Sequence, residues 1–320
     1  MRTRRFVSLA SLALLLSLCG LFAQNPSIPE AKPEAAGFSP ERLSKLDKAM
    51  QEAVDSKTLA GIVTLVTRHG KLVQQRTYGL QDIAGSKPMQ RDTIFRIYSM
   101  TKPITGVAMM ILYEEGKWRP SDPIAKYIPE FADLKVYTEA DGKSKLETPA
   151  HPPTIGELMS HTAGFTYGVF GNTPVDKMYQ QSNPLQSGSF KEFIEKMSKL
   201  PLVYQPGEGW IYSVSVDIQG YLVEKLSGKP FPEFLRERIF TPLGMKDTAF
   251  FVPADKLGRL ATIYTPDPKG QGLLPVPRDA GVEKTPGLPS GGGGLYSTAD
   301  DYLRFAQMLL NGGVLNGIRI

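Results

Sequence analysis

A chain of 320 residues, 41% hydrophobic and 22% charged, can bury a real core and is neither disordered nor fibrous. Its formal charge of +5 falls to about +2 once Arg2, Arg4 and Arg5 of the N-terminal segment are set aside, and no basic run follows, which excludes a nucleic-acid footprint. The single cysteine, Cys19, leaves no disulfide framework, thiol nucleophile or thiolate metal site in the rest of the chain.

Met1 to Ala23 combine three arginines with the largely apolar run Leu12 to Leu18 and end in Gly20-Leu21-Phe22-Ala23. This is the pattern of a secretory signal peptide cleaved before Gln24, so the mature protein is expected to be exported, periplasmic or secreted. The apolar core is shorter than the ~20 residues a bilayer span needs, and Leu18 is bulkier than a lipid-modified Cys19 usually tolerates before it. After a proline-rich linker, Ser39-Pro40-Glu41 reads as a helix cap with proline in the first position, and Leu43, Leu46, Met50 and Ala53 give the helix near 40–56 an apolar face. Gly61 to Thr67 and Leu72 to Tyr78 flank Arg68-His69-Gly70-Lys71, a hairpin with His69 in its turn.

The short segment Thr93 to Ile97 leads into Phe95-Arg96-Ile97-Tyr98-Ser99-Met100-Thr101-Lys102-Pro103. Val107, Ala108, Ile111 and Leu112 then recur at helical spacing, Gly116 suits a C-terminal cap, and Pro103 pins the helix start to within about a turn of Ser99. Residues three apart share a helix face, so Ser99 and Lys102 become neighbours. Ser99 also lies where unpaired N–H groups favour a developing negative charge. Such a pair suits nucleophilic catalysis, the serine proton passing to the amine. By itself Ser-x-x-Lys is a chance-level pattern in a chain of this composition, and a capped helix with a surface lysine explains it equally.

Beyond Gly116 the sequence is rich in proline and reads as loops until Thr154-Ile155-Gly156-Glu157, a capping box opening a short helix. Ser189-Phe190-Lys191-Glu192 opens another, with Phe190, Phe193, Ile194 and Met197 on one face. Val216 to Leu226 and Phe231 to Phe240 complete a mostly helical middle. Ser297-Thr298-Ala299-Asp300 opens a last helix carrying Leu303, Ala306, Leu309 and Leu310, and Gly312 to Ile320 reads as a turn and strand. Strand signals before Ser99 and helices after it predict an α+β fold with an antiparallel sheet.

Gln205-Pro206-Gly207-Glu208-Gly209-Trp210-Ile211-Tyr212-Ser213-Val214 delivers two aromatics on a turn, and a tyrosine there can serve as acid or base. Packing explains Trp210 and Tyr212 as well. Gly291 to Gly294 lacks the Gly-Lys-Ser/Thr ending of a phosphate loop. His151 and His161 lack metal-site spacing, and His161 reads as a hydrogen-bonding residue. Asp300 and Asp301 fit a helix first turn. No Gly-x-Ser-x-Gly elbow occurs.

Four segments taken together, Phe95 to Pro103, Leu158 to Gly164 (Leu-Met-Ser-His-Thr-Ala-Gly), Pro206 to Ser213, and Gly291 to Asp301, resemble the serine β-lactamase-related superfamily, most of all class C β-lactamases and the esterases sharing their fold. The resemblance implies an antiparallel sheet flanked by helices plus a mostly helical lobe, with the sheet lobe near 24–98 and 287–320 and the helical lobe near 99–286. It implies Ser99 as nucleophile, Lys102 as proton acceptor, Tyr212 as second acid/base group, and the Ser99 N–H as half of the oxyanion hole. Tyr98, Trp210, Ser213 and Val214 would line the substrate, and no metal or cofactor is required. The substrate would be a small ester or amide, with no nucleic-acid partner and no stable membrane span.

In the family's Tyr-x-Asn position the asparagine is Val214, which removes an amide used by class C β-lactamases and tilts the reading towards esters. The third motif, Lys-Thr-Gly or its His or Trp equivalent, would lie past residue 320. Lys284-Thr285-Pro286-Gly287 carries an inserted proline that cannot donate to a sheet, so it reads as a loop. The chain is therefore expected to lack C-terminal strands of the family. The readings left open are ester hydrolysis, β-lactam or D-amino-acid peptide hydrolysis by the same residues, and a non-catalytic binding protein.

Overall fold

The computed structural model describes residues 28–320 except Asp141, Gln271 and Asp279, so the expected leader and Cys19 lie outside the described residues. Ser39 caps the first helix, its hydroxyl accepting from Arg42 N–H at 3.3 Å, and Pro40 supplies a φ that suits a helix start, giving α1 (Pro40–Asp55). β1 (Gly61–Arg68) and β2 (Lys71–Asp82) pair antiparallel from Gly61↔Gly79 to Arg68↔Lys71, and His69 with Gly70 makes the turn at positive φ. A side chain at Gly61 would lie 2.6 Å from the Leu80 carbonyl, which is why the strand entry takes glycine. β3 (Lys87–Pro88) completes a three-stranded sheet in the order β1-β2-β3. β4 (Phe95–Arg96) then enters a 3₁₀ turn, Tyr98–Met100, that runs into α2 (Thr101–Glu114).

The middle of the chain departs from the expected division of strands before Ser99 and helices after it. β5 (Val136–Ala140) and β6 (Lys143–Glu147) form a hairpin, and later β7 (Tyr264–Pro266) and β8 (Leu273–Pro275) form another. Their flanks are charged or proline-containing, so the alternation that marks a half-buried strand is missing. Only the Asp141-Gly142 dipeptide signals the first of these turns. Helices follow as α3 (Ile155–Met159), α4 (Pro174–Ser182), α5 (Phe190–Met197), α6 (Ser215–Ser227) and α7 (Phe231–Leu235). The α4 helix, also unexpected, is opened by a Thr173/Asp176 capping box. Past α7 the helix loosens into a π turn, Arg236–Phe240, and tightens into α8 (Thr241–Leu243).

β9 (Tyr296–Ser297) returns to pair with β4 through Phe95↔Ser297 and Arg96↔Tyr296, α9 (Ala299–Leu310) follows, and β10 (Val314–Leu315) turns back onto β11 (Ile318–Arg319). The buried residues of α9 are Asp301, Phe305 and Met308, at i, i+4 and i+7, together with Gln307, whereas Ala306, Leu309 and Leu310 are exposed. The sequence offers two apolar stripes here, and the one carrying the larger ring enters the core, where more apolar area leaves water. The core itself is built around α2. Ile104, Ala108, Met109 and Leu112 are fully buried among residues of α6 and α7, and the Trp118 indole donates to the Met109 carbonyl at 2.8 Å.

Asp247 ties the sheet side of the molecule to the turn after α8. It accepts from Lys256 Nζ at 2.7 Å and from Arg259 Nη2 at 2.9 Å, while Arg259 also donates to the Asp92 carbonyl at 2.7 Å. Burial pushes the Asp247 carboxyl up, but Arg259 and Lys256 outweigh it and hold the group below the usual carboxylate range. A depressed folded-state value means stability that is present above the unfolded pKa of about 3.9 and lost as pH falls through the folded one. Asp247→Asn is accordingly expected to cost about 1–3 kcal/mol at pH 7 and to flatten the acid side of the stability curve, measured as urea midpoints between pH 3 and 7. An unchanged midpoint at pH 7 would remove this ion pair from the account of stability.

Candidate active site

Ser99 is held out to solvent on a clamped turn. Ile97 N–H donates to the Leu295 carbonyl at 2.9 Å, Met100 N–H to Ile97 at 3.0 Å, and Tyr302 OH to the Met100 carbonyl at 3.0 Å. Leu295 N–H in turn donates to Thr101 Oγ1 at 3.2 Å. The turn therefore sits between β4, β9 and α9. Tyr98, just before the serine, has φ of 43°, a left-handed conformation that non-glycine residues seldom adopt, and the Arg96 guanidinium lies 5.0 Å over its ring. Ser99 itself belongs to the 3₁₀ turn and not to the first α-helical turn. The three-residue spacing to Lys102 still brings Nζ to 3.3 Å from Ser99 Oγ.

The Lys102 ammonium has three protons and three acceptors: Ser99 Oγ, Tyr167 OH at 3.0 Å and the Gly292 carbonyl at 2.7 Å. It also lies 4.5 Å from the Tyr212 ring centre. Tyr212 OH donates to Ser99 Oγ at 2.7 Å. What delivers Tyr212 is a stitched pair of loops. Gly207, at φ of 84°, donates to the Thr162 carbonyl at 2.8 Å, and Ile211 N–H donates to the His161 carbonyl at 3.1 Å. His161 Nδ1 accepts from Ser213 N–H at 3.3 Å and lies 3.1 Å from Ser213 Oγ, the hydrogen-bonding role its sequence suggests. Burial first, and then the Lys102 charge, lowers the His161 pKa, so the imidazole is neutral near pH 7.

Three expected site residues, Ser99, Lys102 and Tyr212, are thus in mutual contact, 113 residues separating the serine from the tyrosine. Tyr98 and Trp210 flank them as half-exposed and largely exposed rings. Ser213 and Val214 correct the sequence reading. Both are 1% exposed, Ser213 bonded to His161 and Ser215 and Val214 packed in the core, so neither side chain faces a substrate. Val214 is the residue just before α6, and the turn of chain that presents Tyr212 points the next two side chains inward. Lys284 to Gly287 lies in a loop, as its proline requires.

Sequence reasoning missed Tyr167, Phe170, Asp217 and Ser290. Tyr167 OH lies 3.4 Å from Asp217 Oδ2, and the fully buried Asp217 carboxylate also accepts from Ser290 Oγ and from Gly292 N–H at 3.1 Å. Burial, then Asp217 and Tyr212, pushes the Tyr167 phenol well above its ordinary range. The legible signal was Asp217 itself, a carboxylate set between the apolar Val216 and Ile218 at the start of a helix. Phe170 stands 5.7 Å and Trp210 6.4 Å from the Tyr212 ring, and together these two exposed rings make an apolar rim at the site.

An exposed serine hydroxyl touching both an amine and a phenol, carried on this α+β frame, defines a serine hydrolase. The β-lactamase family model matches residues 46–318, and the chain belongs to that family. It is 30% identical over 284 residues to esterase EstB of Burkholderia gladioli, covering 83% of this chain and 69% of that one. It is also 30% identical over 278 residues to lovastatin esterase of Penicillium rubens, covering 84% and 69%. Among solved structures, EstCE1, a hydrolase with promiscuous acyltransferase activity, superposes with a TM-score of 0.70 at 27% identity, covering 87% of this chain and 74% of that one. Within the described residues no helix is long and apolar enough to cross a membrane.

Proposed function

We propose that the protein hydrolyses small carboxylic esters through an acyl-enzyme at Ser99. The observation that carries this reading is the approach of Lys102 Nζ at 3.3 Å and Tyr212 OH at 2.7 Å to one exposed serine oxygen. With one proton of the Lys102–Tyr212 pair given up to solvent beforehand, Ser99 Oγ attacks the ester carbonyl as its own proton passes to the pair, and the pair returns that proton to the departing alkoxide as the ester C–O bond breaks. Water then attacks the acyl carbon, gives its proton to the pair, and Ser99 leaves reprotonated as the carboxylic acid is released. Both groups touch the same serine oxygen, so either can take the proton and the route is assigned to the pair. The Ser99 N–H supplies one oxyanion donor.

Substrate class follows from what surrounds the serine. Val214 occupies the position of a polar amide in class C β-lactamases and is buried, while Phe170 and Trp210 offer apolar surface beside Tyr212. Both features support an ester with an apolar acyl or aryl group over a β-lactam. The esterase names of the relatives agree with this. A leader at Met1–Ala23 adds export to the proposal, and amino-terminal sequencing of the secreted protein should begin at Gln24.

The test uses a fluorophosphonate probe and two chromogenic substrates. Peptide mapping is expected to find the label on Ser99, and a short-chain nitrophenyl ester to be turned over faster than a chromogenic cephalosporin. Label on another residue would overturn the nucleophile, and faster cephalosporin turnover would overturn the substrate class.

A further inference from the structure

We infer that Asp217 is the positioning residue that fixes Lys102 against Ser99, by holding two of the three acceptors of the lysine ammonium. The inference rests on the Ser99 reading above. One Asp217 oxygen accepts from Gly292 N–H at 3.1 Å and from Ser290 Oγ, which fixes the peptide whose carbonyl takes a Lys102 proton at 2.7 Å. The other lies 3.4 Å from Tyr167 OH, the hydroxyl that takes a second Lys102 proton at 3.0 Å. A phenol that donates to a carboxylate has its lone pairs left to accept, so the direction of the Tyr167 hydrogen bond is set by Asp217. The only remaining Lys102 proton points at Ser99 Oγ.

The space around this carboxylate is filled. A Cβ at Gly292 would sit 2.5 Å from Asp217 Oδ2 and 2.7 Å from Tyr167 OH, and one at Gly291 would sit 2.5 Å from the Val216 carbonyl. The glycine run is therefore the means by which the loop closes onto α6. Packing also explains why a carboxylate is an odd choice for structure alone. Asp217 is fully buried, and desolvation pushes its carboxyl up against the opposing pull of Ser290, Gly292, Lys102 and Tyr167. A raised folded-state value favours the native state at low pH, and that advantage is lost as pH rises through it, so ionising Asp217 in this buried place costs stability. A neutral side chain of the same shape would fold at least as well. What only a carboxylate does is accept from Tyr167, Ser290 and Gly292 together. In Asp217→Asn one of the two oxygens becomes an NH₂, which donates to Tyr167 OH and competes with Lys102 for it.

The experiment measures kcat, KM and Tm for wild type, Asp217→Asn, Tyr167→Phe, the double variant and Ser99→Ala, on one nitrophenyl ester. Misplacing a proton-transfer group by a fraction of an ångström is expected to lower kcat about 10- to 100-fold in Asp217→Asn, with KM within about threefold of wild type. Its Tm should be unchanged or higher. Tyr167→Phe, which keeps the ring and loses one acceptor, should lower kcat by a smaller factor. The double variant should fall no more than about threefold below Asp217→Asn, because both act through Lys102. The inference is overturned if Asp217→Asn keeps its kcat, if its activity falls only in step with Tm, or if the two substitutions multiply independently. Should Asp217→Asn fail to fold, a wild-type kcat in Tyr167→Phe overturns it equally. Activity surviving in Ser99→Ala defeats the ester-hydrolase reading instead, whereas an inactive Ser99→Ala beside a fully active Asp217→Asn defeats this inference alone.

Discussion

Ser99→Ala is expected to abolish ester turnover, lowering kcat/KM by about 10⁴-fold or more while leaving the fold intact. The size follows from the role. Without Oγ there is no acyl-enzyme, and Lys102 and Tyr212 have no oxygen to deprotonate, so what remains is substrate binding and one backbone donor. The small effect on stability follows from position: Ser99 is exposed, and the turn is held by backbone bonds from Ile97 and Met100 and by Tyr302, none of which uses the serine side chain. Circular dichroism and thermal melting should therefore match wild type within experimental scatter. Steady-state rates of the purified variant decide the matter. A residual rate within tenfold of wild type would place the nucleophile elsewhere.

Tyr212→Phe is expected to give the second largest loss, about 10²- to 10⁴-fold in kcat with KM nearly unchanged. The substitution removes one oxygen and nothing else. The remaining ring keeps its neighbours, with His161 at 5.3 Å, Tyr167 at 5.5 Å, Phe170 at 5.7 Å and Trp210 at 6.4 Å between ring centres, and Lys102 stays over its face. Binding surface is thereby preserved and the 2.7 Å contact to Ser99 Oγ is lost. A fall in kcat at constant KM reads as an interaction made in the transition state. Rapid-mixing measurement of acylation and deacylation should show both slowed, since the proposed proton route serves both steps. If only KM rose, Tyr212 would be a binding residue and the proton route would pass through Lys102 alone.

The asymmetry between these two variants and Asp217→Asn also bears on how the site is built. Ser99 and Tyr212 act at the surface, where their loss leaves the core untouched. Asp217 acts from full burial, where an ionised group lowers stability and persists because of what it holds.

Local chemistry makes much of the scaffold legible in the sequence. Ser39 with Pro40, the Thr154 to Glu157 capping box and the Arg68 to Lys71 turn depend on residues within a few positions of one another, and all three form as read. The Ser99–Lys102 contact is of the same kind, since three residues of helical or near-helical chain fix it. The hairpin at 136–147 and the choice of buried stripe on α9 were not legible, because each is settled by partners distant in sequence and by which ring buries more area. Val214 shows the same limit in the site. A motif position suggested substrate contact, and the backbone direction at the start of α6 turned the side chain inward.

By itself, then, the sequence determined the class of chemistry: a serine and a lysine one turn apart, a tyrosine on a glycine-punctuated loop, and four motifs in the order of one superfamily. Only the tertiary structure decided what holds those groups in register. Tyr167, Asp217, Ser290 and Gly292 are drawn from three separate segments, and the three protons of one ammonium find their acceptors only where those segments meet. Hydrogen-bond partners at such separations leave no local pattern, because their geometry is imposed by the packing of α2 against α6 and by the glycine run that closes over both.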